Sequence, residues 1–415
     1  MHFGPSTTSS EQLLELKDRL LLMSKTVTAR DLSSLMALDS RLTKEQIAIR
    51  EVVRNIGDRE LRPNIANWYE TGDLPAREIA KKLGSLGLLG MHLEGYECAG
   101  TDSLSYGLAC LELEAVDSGL RSLVSVQGSL AMFAIHEYGS EEQKKQWLPK
   151  MAKGEFVGCF GLTEADFGSN PSGMRTFARR EGSDWVINGS KMWITNGTIA
   201  DVAIIWTQSE EGIRGFCVPT NTPGFKANLI KHKLSLRASL TAELVFDGMR
   251  IPDSYRLPGA TSLRAPLMCL AEARFGIIFG AIGAARDSFE SAVKYSQTRI
   301  QFEKPIAGYQ LTQAKLAEMA TGITTSMLLA YHLADLKDDQ KIEPEQISMG
   351  KYHNVQTALE ITRSARSILG GAGITSEYPI FRHMANLETV LTYEGTHEIH
   401  TLVIGQAITG ENAFR

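Results

Sequence analysis

Leu391-Thr392-Tyr393-Glu394-Gly395-Thr396-His397-Glu398-Ile399-His400 is a polar, glycine-interrupted turn that leads into a regular segment. Glu394 stands between an aromatic residue and a glycine. Gly395 carries no side chain, so a flat ligand could approach the backbone there. A carboxylate held beside apolar surface has its charged form disfavoured, and its pKa moves toward the range useful for a general base. From Ile399 to Ile408 apolar residues recur at helical spacing, so the stretch reads as a loop that delivers one carboxylate and then enters a helix. The same residues also fit an ordinary helix start, where acidic groups complement the dipole and hydroxyls cap free N–H groups. Spacing alone favours this plainer reading.

The chain has 415 residues, more than one core usually serves, which predicts two or three domains. Hydrophobic residues make up 43% and charged residues 22%, the balance of a soluble globular protein. A net charge of −5 offers no basic stripe for nucleic acid. The five cysteines are scattered and form no C-x-x-C pair, which argues against a disulfide framework or a metal site and for a reducing, intracellular setting. The most apolar run, 276–285, is far short of the ~20 residues that span a bilayer, so no integral membrane segment is expected. Residues 1–10 are rich in Ser and Thr, and 1–40 are expected to be partly flexible. Residues 11–30 mix acids and bases with leucines, unlike a transit peptide. The expected location is the bacterial cytoplasm, or the mitochondrial matrix if the source is a eukaryote.

Helical patterns fill the chain to about residue 155. Thr43 stands at a cap position with Gln46 at the capping-box spacing, and Ile47, Val52, Val53 and Ile56 follow at helical intervals. Residues 74–89 repeat the pattern, and 103–138 read as one or two buried helices. Composition then changes. Short β-rich runs at 156–162, 185–195, 202–206, 215–218 and 242–246 are broken by Gly, Pro and Asp, with a hairpin expected at Asn188-Gly189. Helical patterns return at 271–297, read as amphipathic, and at 311–337 and 345–369. The fold class is therefore α+β, with an N-terminal helical domain (1–155), a middle β domain (156–262) and a C-terminal helical domain (263–415).

Five further segments carry chemistry. Phe160-Gly161-Leu162-Thr163-Glu164-Ala165-Asp166-Phe167-Gly168-Ser169-Asn170 is a strand entering a polar turn. Its hydroxyls and N–H groups suit a polar cofactor ring or phosphate, or simply a hairpin loop. Lys191-Met192-Trp193-Ile194-Thr195 sets a large flat indole on a strand, for a ligand or for the core. Arg299, Phe302 and Gln310 lie between two helices, and Ser367-Ile368-Leu369-Gly370-Gly371 ends a third. The spacing there is not that of a dinucleotide fingerprint. In a helix, Glu114, Asp117 and Arg121 share one face, because the spacings are seven and four. The flanks are apolar, so Arg121 needs an anion, and a substrate carboxylate would satisfy it.

These segments together resemble the acyl-CoA dehydrogenase family, over nearly the whole chain from about residue 40. The resemblance implies a three-domain fold, non-covalent FAD, an acyl-CoA substrate, an electron-transferring flavoprotein as acceptor and a homotetramer. It makes Glu394 the base that removes the α-proton. Phe160, Leu162, Thr163, Gly168, Ser169, Trp193, Ile194, Thr195, Thr396 and Glu398 fall on cofactor positions. The family loop is usually Thr-Glu-Pro-x-x-Gly-Ser-Asp; Ala165 replaces its Pro and Asn170 its Asp. Arg299, Phe302, Gln310, Ser367, Leu369, Gly370 and Gly371 match the element that reaches a neighbouring subunit's flavin. Ser169, Arg274 and Gly395 fall on substrate positions. Some members carry the base near Glu272-Ala273, where Ala273 is no candidate and Glu272 is adjacent. Val116-Asp117-Ser118-Gly119-Leu120-Arg121-Ser122 with 391–400 and 405–410 resembles members that act on a thioester with a distal carboxylate and release it as carbon dioxide. There Arg121 grips the carboxylate, and Glu114, Ser122, Thr195 and Tyr393 tune it. Enzymes for uncharged acyl chains, with Arg121 structural, a non-decarboxylating variant, and a non-catalytic flavin-fold binding module are the alternatives.

Overall fold

The computed structural model describes residues 30–414, so the expectations for residues 1–29 lie outside the described residues. The described residues 30–43 belong to a unit of their own, with a short helix α1 (Leu32–Met36) and a 3₁₀ turn at Leu38–Arg41. Asp31 caps α1 by accepting from the Ser34 N–H at 2.7 Å.

The second unit begins with α2 (Lys44–Ile56), which passes through a π-helical turn into α3 (Arg62–Thr71), and then α4 (Ala76–Gly84). Next come α5 (Ser103–Val116) and α6 (Ser118–Ser125), the latter continuing through a second π-helical turn (Val126–Met132) into α7 (Phe133–Tyr138). A capping box of Ser140 and Gln143 starts α8 (Glu141–Ala152). Every residue of α5 and α6 is buried. The break between them corrects one expectation. Asp117 is extended (φ −166°, ψ 141°) and caps α6 by accepting from the Gly119 N–H at 2.7 Å. It pairs with Arg382 at 3.1 Å and Asn386 at 2.9 Å, so it does not share a face with Arg121.

The β region forms two sheets. β1 (Gly158–Gly161), β4 (Val202–Thr207) and β5 (Arg214–Pro219) make one, with β1 parallel to β4. β2 (Phe177–Glu181), β3 (Asp184–Thr195), β7 (Thr241–Pro252) and β6 (Phe225–Leu229) make the other, in that order. One face of the first sheet shares a core with the second through Cys159, Ala203, Phe216, Trp185 and Leu244. Its other face, with Phe160, Val202, Ile204 and Trp206, shares a core with helical residues such as Leu148, Cys269 and Ala273. That two-sided burial explains the unbroken apolar run at 202–206. Asn188-Gly189 is not a hairpin. It is a bulge inside β3, where Gly189 (φ 139°) runs so close to Thr176 that a Cβ would sit 2.7 Å away. The β2–β3 hairpin turns instead beyond the Glu181–Asp184 pair.

The last region holds α9 (Arg264–Thr298), a two-residue ladder β8 (Ile300–Gln301) and β9 (Lys304–Pro305), α10 (Gln310–Asp338), α11 (Pro344–Leu369), α12 (Ile380–Thr392) and α13 (His397–Thr409). Helices, sheets and helices in this order give the expected α+β class. Among the described residues α9 alone is long and apolar enough to cross a membrane, and most of its apolar stretch is packed inside the protein. Its middle, from Phe275 to Ala285, is buried all round, which corrects the amphipathic reading. Gly276, Gly280 and Gly283 give α5 a smooth stripe to lie on; a Cβ on Gly283 would sit 1.9 Å from the Leu111 carbonyl.

Candidate active site

The turn between α12 and α13 holds Glu394 in a left-handed conformation, φ 54°. Such a conformation in a non-glycine residue costs on the order of 1–3 kcal/mol and persists only where the surroundings impose it. Here two cations do so. Lys351 of α11 donates to the carbonyls of Tyr393 and Gly395, the latter at 2.5 Å, and Arg274 of α9 donates through Nε to the carbonyl of Glu394 itself at 2.6 Å. Three consecutive carbonyls are thus held from two helices. Thr396 caps α13 by accepting from the Ile399 N–H at 3.2 Å. Gly395 (φ 91°) needs its missing side chain for a different reason from the expected one: a Cβ would meet His400 at 2.9 Å, so protein rather than ligand fills that space.

The clamps leave the Glu394 carboxylate free. Its Oε2 is buried with no hydrogen-bond partner. Burial raises its pKa above the usual carboxylate range, against the pull of Arg121, Lys351 and Arg274. Burial likewise lowers Lys351 to about 7. His400 is driven down to about 3 by burial and the nearby Lys351 and Arg274, and so is neutral.

Arg121 lies beside this turn with no exposed surface. Its Nε donates to Glu114 at 2.6 Å and its Nη2 to the Tyr393 hydroxyl. Glu114 also accepts from Ser118 at 2.8 Å. Of the two acids that the sequence reading set on the face of Arg121, Glu114 is its carboxylate partner within the protein and Asp117 is not. One position remains open: Nη1 is buried and unpartnered. Ser122 is buried on α6 beside it in sequence. The structure thus brings together Glu114, Arg121, Arg274, Tyr393, Glu394 and Gly395. Glu272 is engaged elsewhere, 2.6 Å from Lys337 and 4.0 Å from His92, and Ala273 is core, so neither competes with Glu394.

A second cluster lies on the sheets. Phe160 and Leu162 are buried in the core that also contains Ala273, one residue from Arg274. Beyond them the polar loop is pinned. Glu164 accepts the N–H groups of Arg175 and Thr176 at 2.6 and 2.9 Å, and buried Lys191 bonds Glu164 at 2.8 Å and the Leu162 carbonyl at 3.0 Å. The Thr163 carbonyl accepts from Met192 at 2.8 Å. An irregularity in β3 between Lys191 and Ile194 puts Trp193 at φ 65° and leaves it 59% exposed, while Ile194 stays in the core and Thr195 is half-buried. A flat indole face is thereby open beside a polar loop, which fits an isoalloxazine ring. Gly168 and Ser169 are exposed at the loop's end.

Family models for the acyl-CoA dehydrogenase N-terminal, middle and C-terminal domains match residues 43–155, 159–249 and 263–409. The chain belongs to the acyl-CoA dehydrogenase family. An acyl-CoA dehydrogenase of Bacillus subtilis is 35% identical over 376 residues, covering 89% of this chain and 99% of the relative. A crystal structure of glutaryl-CoA dehydrogenase from Mycobacterium smegmatis is 62% identical, with a TM-score of 0.92 over 93% of this chain and all (100%) of that one. A second structure of a glutaryl-CoA dehydrogenase from that organism, in complex with FADH2, is 59% identical with the same TM-score of 0.92 and the same coverage, 93% and 100%.

In this acyl-CoA dehydrogenase the third set of expected residues lies apart. Arg299 caps the far end of α9 from Arg274, about 37 Å away at 1.5 Å per residue. Exposed Phe302, Gln310, Gly370 and Gly371 are near that end in sequence or packing, and Lys315 bonds Ser367 at 2.9 Å. Leu369 is core and Glu398 is exposed on α13. Sequence reasoning missed Lys351, Lys191 and Gly280 as site residues. Lys351 had a signal: it sits four residues from Ile347 and four from Val355, on the buried stripe of its helix. Gly280 matters because a Cβ there would lie 2.0 Å from Glu114 Oε2 and 3.2 Å from Arg121 Nε. Gly280→Ala is expected to lose about 1–3 kcal/mol of stability, the usual cost of overpacking, by forcing Glu114 off Arg121. Denaturant unfolding checks it, and unchanged stability would mean that α5 yields instead.

Proposed function

We propose that this FAD-dependent acyl-CoA dehydrogenase oxidises glutaryl-CoA at its α,β bond and releases the distal carboxylate as carbon dioxide, leaving crotonyl-CoA. The observation that carries the substrate choice is the unpartnered Nη1 of the fully buried Arg121. Around Glu394 stand three cationic side chains, Arg121, Arg274 and Lys351, with Glu114 as the other carboxylate. The 62% identical glutaryl-CoA dehydrogenase supports the same choice.

Arg121 holds the distal carboxylate through Nη1 and so fixes the register of the acyl chain. Glu394, unpaired at Oε2, takes the α-proton. FAD bound beside this turn would supply the acceptor for the hydride that leaves the β-carbon. After carboxylate loss a proton takes its place on the chain. Trp193, the Thr163–Ser169 loop and Thr195 would hold the flavin, with Lys191 and Glu164 bracing the loop. Thr396 and Glu398 lie next to the base turn. The exposed surface of Arg299, Phe302, Gln310, Ser367, Gly370 and Gly371 meets another protomer's cofactor in a homotetramer, and an electron-transferring flavoprotein takes the electrons onward.

Anaerobic titration of the flavin-loaded enzyme with glutaryl-CoA and with butyryl-CoA tests this. Bleaching by glutaryl-CoA with crotonyl-CoA formed is the expected result. Bleaching by butyryl-CoA alone would make the Glu114–Arg121 pair purely structural and the enzyme a short-chain dehydrogenase. Bleaching by glutaryl-CoA without carbon dioxide would remove the decarboxylation step.

A further inference from the structure

We infer that Lys351 is a positioning residue for the base: it fixes the peptide planes on both sides of Glu394 and so sets the direction of the carboxylate. The inference rests on Glu394 being the base. A buried lysine ordinarily satisfies itself on a carboxylate. Lys351, 2% exposed, instead places its ammonium on two main-chain carbonyls, those of Tyr393 and Gly395. The residue between them keeps an unpartnered Oε2. A direct Lys351–Glu394 hydrogen bond would occupy the carboxylate needed for the proton; bonding its neighbours lends charge nearby and leaves the oxygen open.

The reach of Lys351 is fixed by packing. Gly350 lies so close to α9 and α10 that a Cβ would sit 2.5 Å from Leu333 and 2.7 Å from Ile278. Asn354, on the same face, donates to the carbonyls of Ile278 at 3.0 Å and Ser326 at 3.3 Å. Ile278 lies four residues beyond Arg274 on α9, so the helix face that supplies Arg274 also seats α11. The charged and titratable groups around Lys351 are Glu394 and Tyr393 on the turn, Arg274 on α9, Arg121 on α6 and His400 on α13.

The test compares Lys351→Met, Lys351→Gln and Glu394→Gln as flavin-loaded enzymes, following flavin bleaching by glutaryl-CoA as a function of pH. For Lys351→Met we expect kcat to fall about 30- to 100-fold with KM within about threefold, the mark of misplaced chemistry rather than lost binding. Loss of a neighbouring cation raises the pKa of Glu394, so the acidic limb of the kcat profile moves to higher pH. Lys351→Gln keeps N–H donors without charge. It should recover about tenfold of the loss while the limb stays displaced. A Lys351→Met enzyme with wild-type kcat and limb, beside an inactive Glu394→Gln, would overturn the role of Lys351 alone. If Lys351→Met fails to retain flavin, Lys351→Gln decides: full rate with an undisplaced limb overturns the proposal. Turnover in Glu394→Gln would sink the base and its positioning together.

Discussion

Replacing Glu394 by Gln is expected to lower kcat by at least about 10³-fold while flavin stays bound, near the upper range for loss of a general base. The substitution keeps size and shape. The clamps on the turn act on the carbonyls of Tyr393, Glu394 and Gly395, not on the Glu394 side chain, so the turn should survive. Only proton acceptance at Oε2 is removed. The wild-type pH dependence follows from the same geometry. Burial raises the Glu394 pKa, and a base proposed to act in its ionised form should give a rate that falls as pH drops through that raised value. Stopped-flow bleaching checks both, and a substantial rate in Glu394→Gln would move the base elsewhere.

Arg121→Ala should cost the preference for glutaryl-CoA over butyryl-CoA by about 10²- to 10³-fold in kcat/KM, as expected for loss of one partner in a buried charge pair. It should also destabilise the fold by about 3–5 kcal/mol. Glu114 would be left fully buried, its remaining hydrogen bond the one from Ser118 at 2.8 Å. The double variant Glu114→Gln/Arg121→Met separates the two effects, since it removes both charges at once. It should regain most of the stability and none of the selectivity. Competition between the two thioesters reads the first quantity and denaturant unfolding the second. A single variant that keeps its preference would end the carboxylate role of Arg121.

The order of helices, strands and helices was legible because hydrophobic period and turn residues are local signals. The errors fall where long-range contacts override them. Asn188-Gly189 is a strong hairpin dipeptide, yet the close pass of Thr176 and a bond from the Gly248 N–H to the Asn188 side chain (2.8 Å) keep β3 running as a bulged strand. Asp117 looked like a helical neighbour of Arg121, but Arg382 and Asn386, far along the chain, draw it into a cap. The chemistry-bearing residues Glu394, Arg121 and Trp193 were visible as motifs. Their supports were not. Arg274 was visible only as a substrate position and Lys351 only as a polar residue on a buried stripe. Their hold on the turn, like the fit of Gly280, acts through distances between helices that no spacing in the sequence encodes.

The clamped turn has a consequence for how the protein tolerates change. The cost of ordering the Glu394 turn falls on folding, so under the proposed role a substrate meets a turn already held in one shape. The direction of one carboxylate is set by the separation of α9 and α11, because Arg274 hangs from one and Lys351 from the other. Close-packed helices pass small displacements along rather than absorbing them. Substitutions at Ile278, Leu333 or Gly350, which touch no reacting group, would therefore surface as slow enzymes before they surface as unstable ones. Inherited or engineered variation in that core would be misread as harmless by any survey that looks only at residues around the ligand.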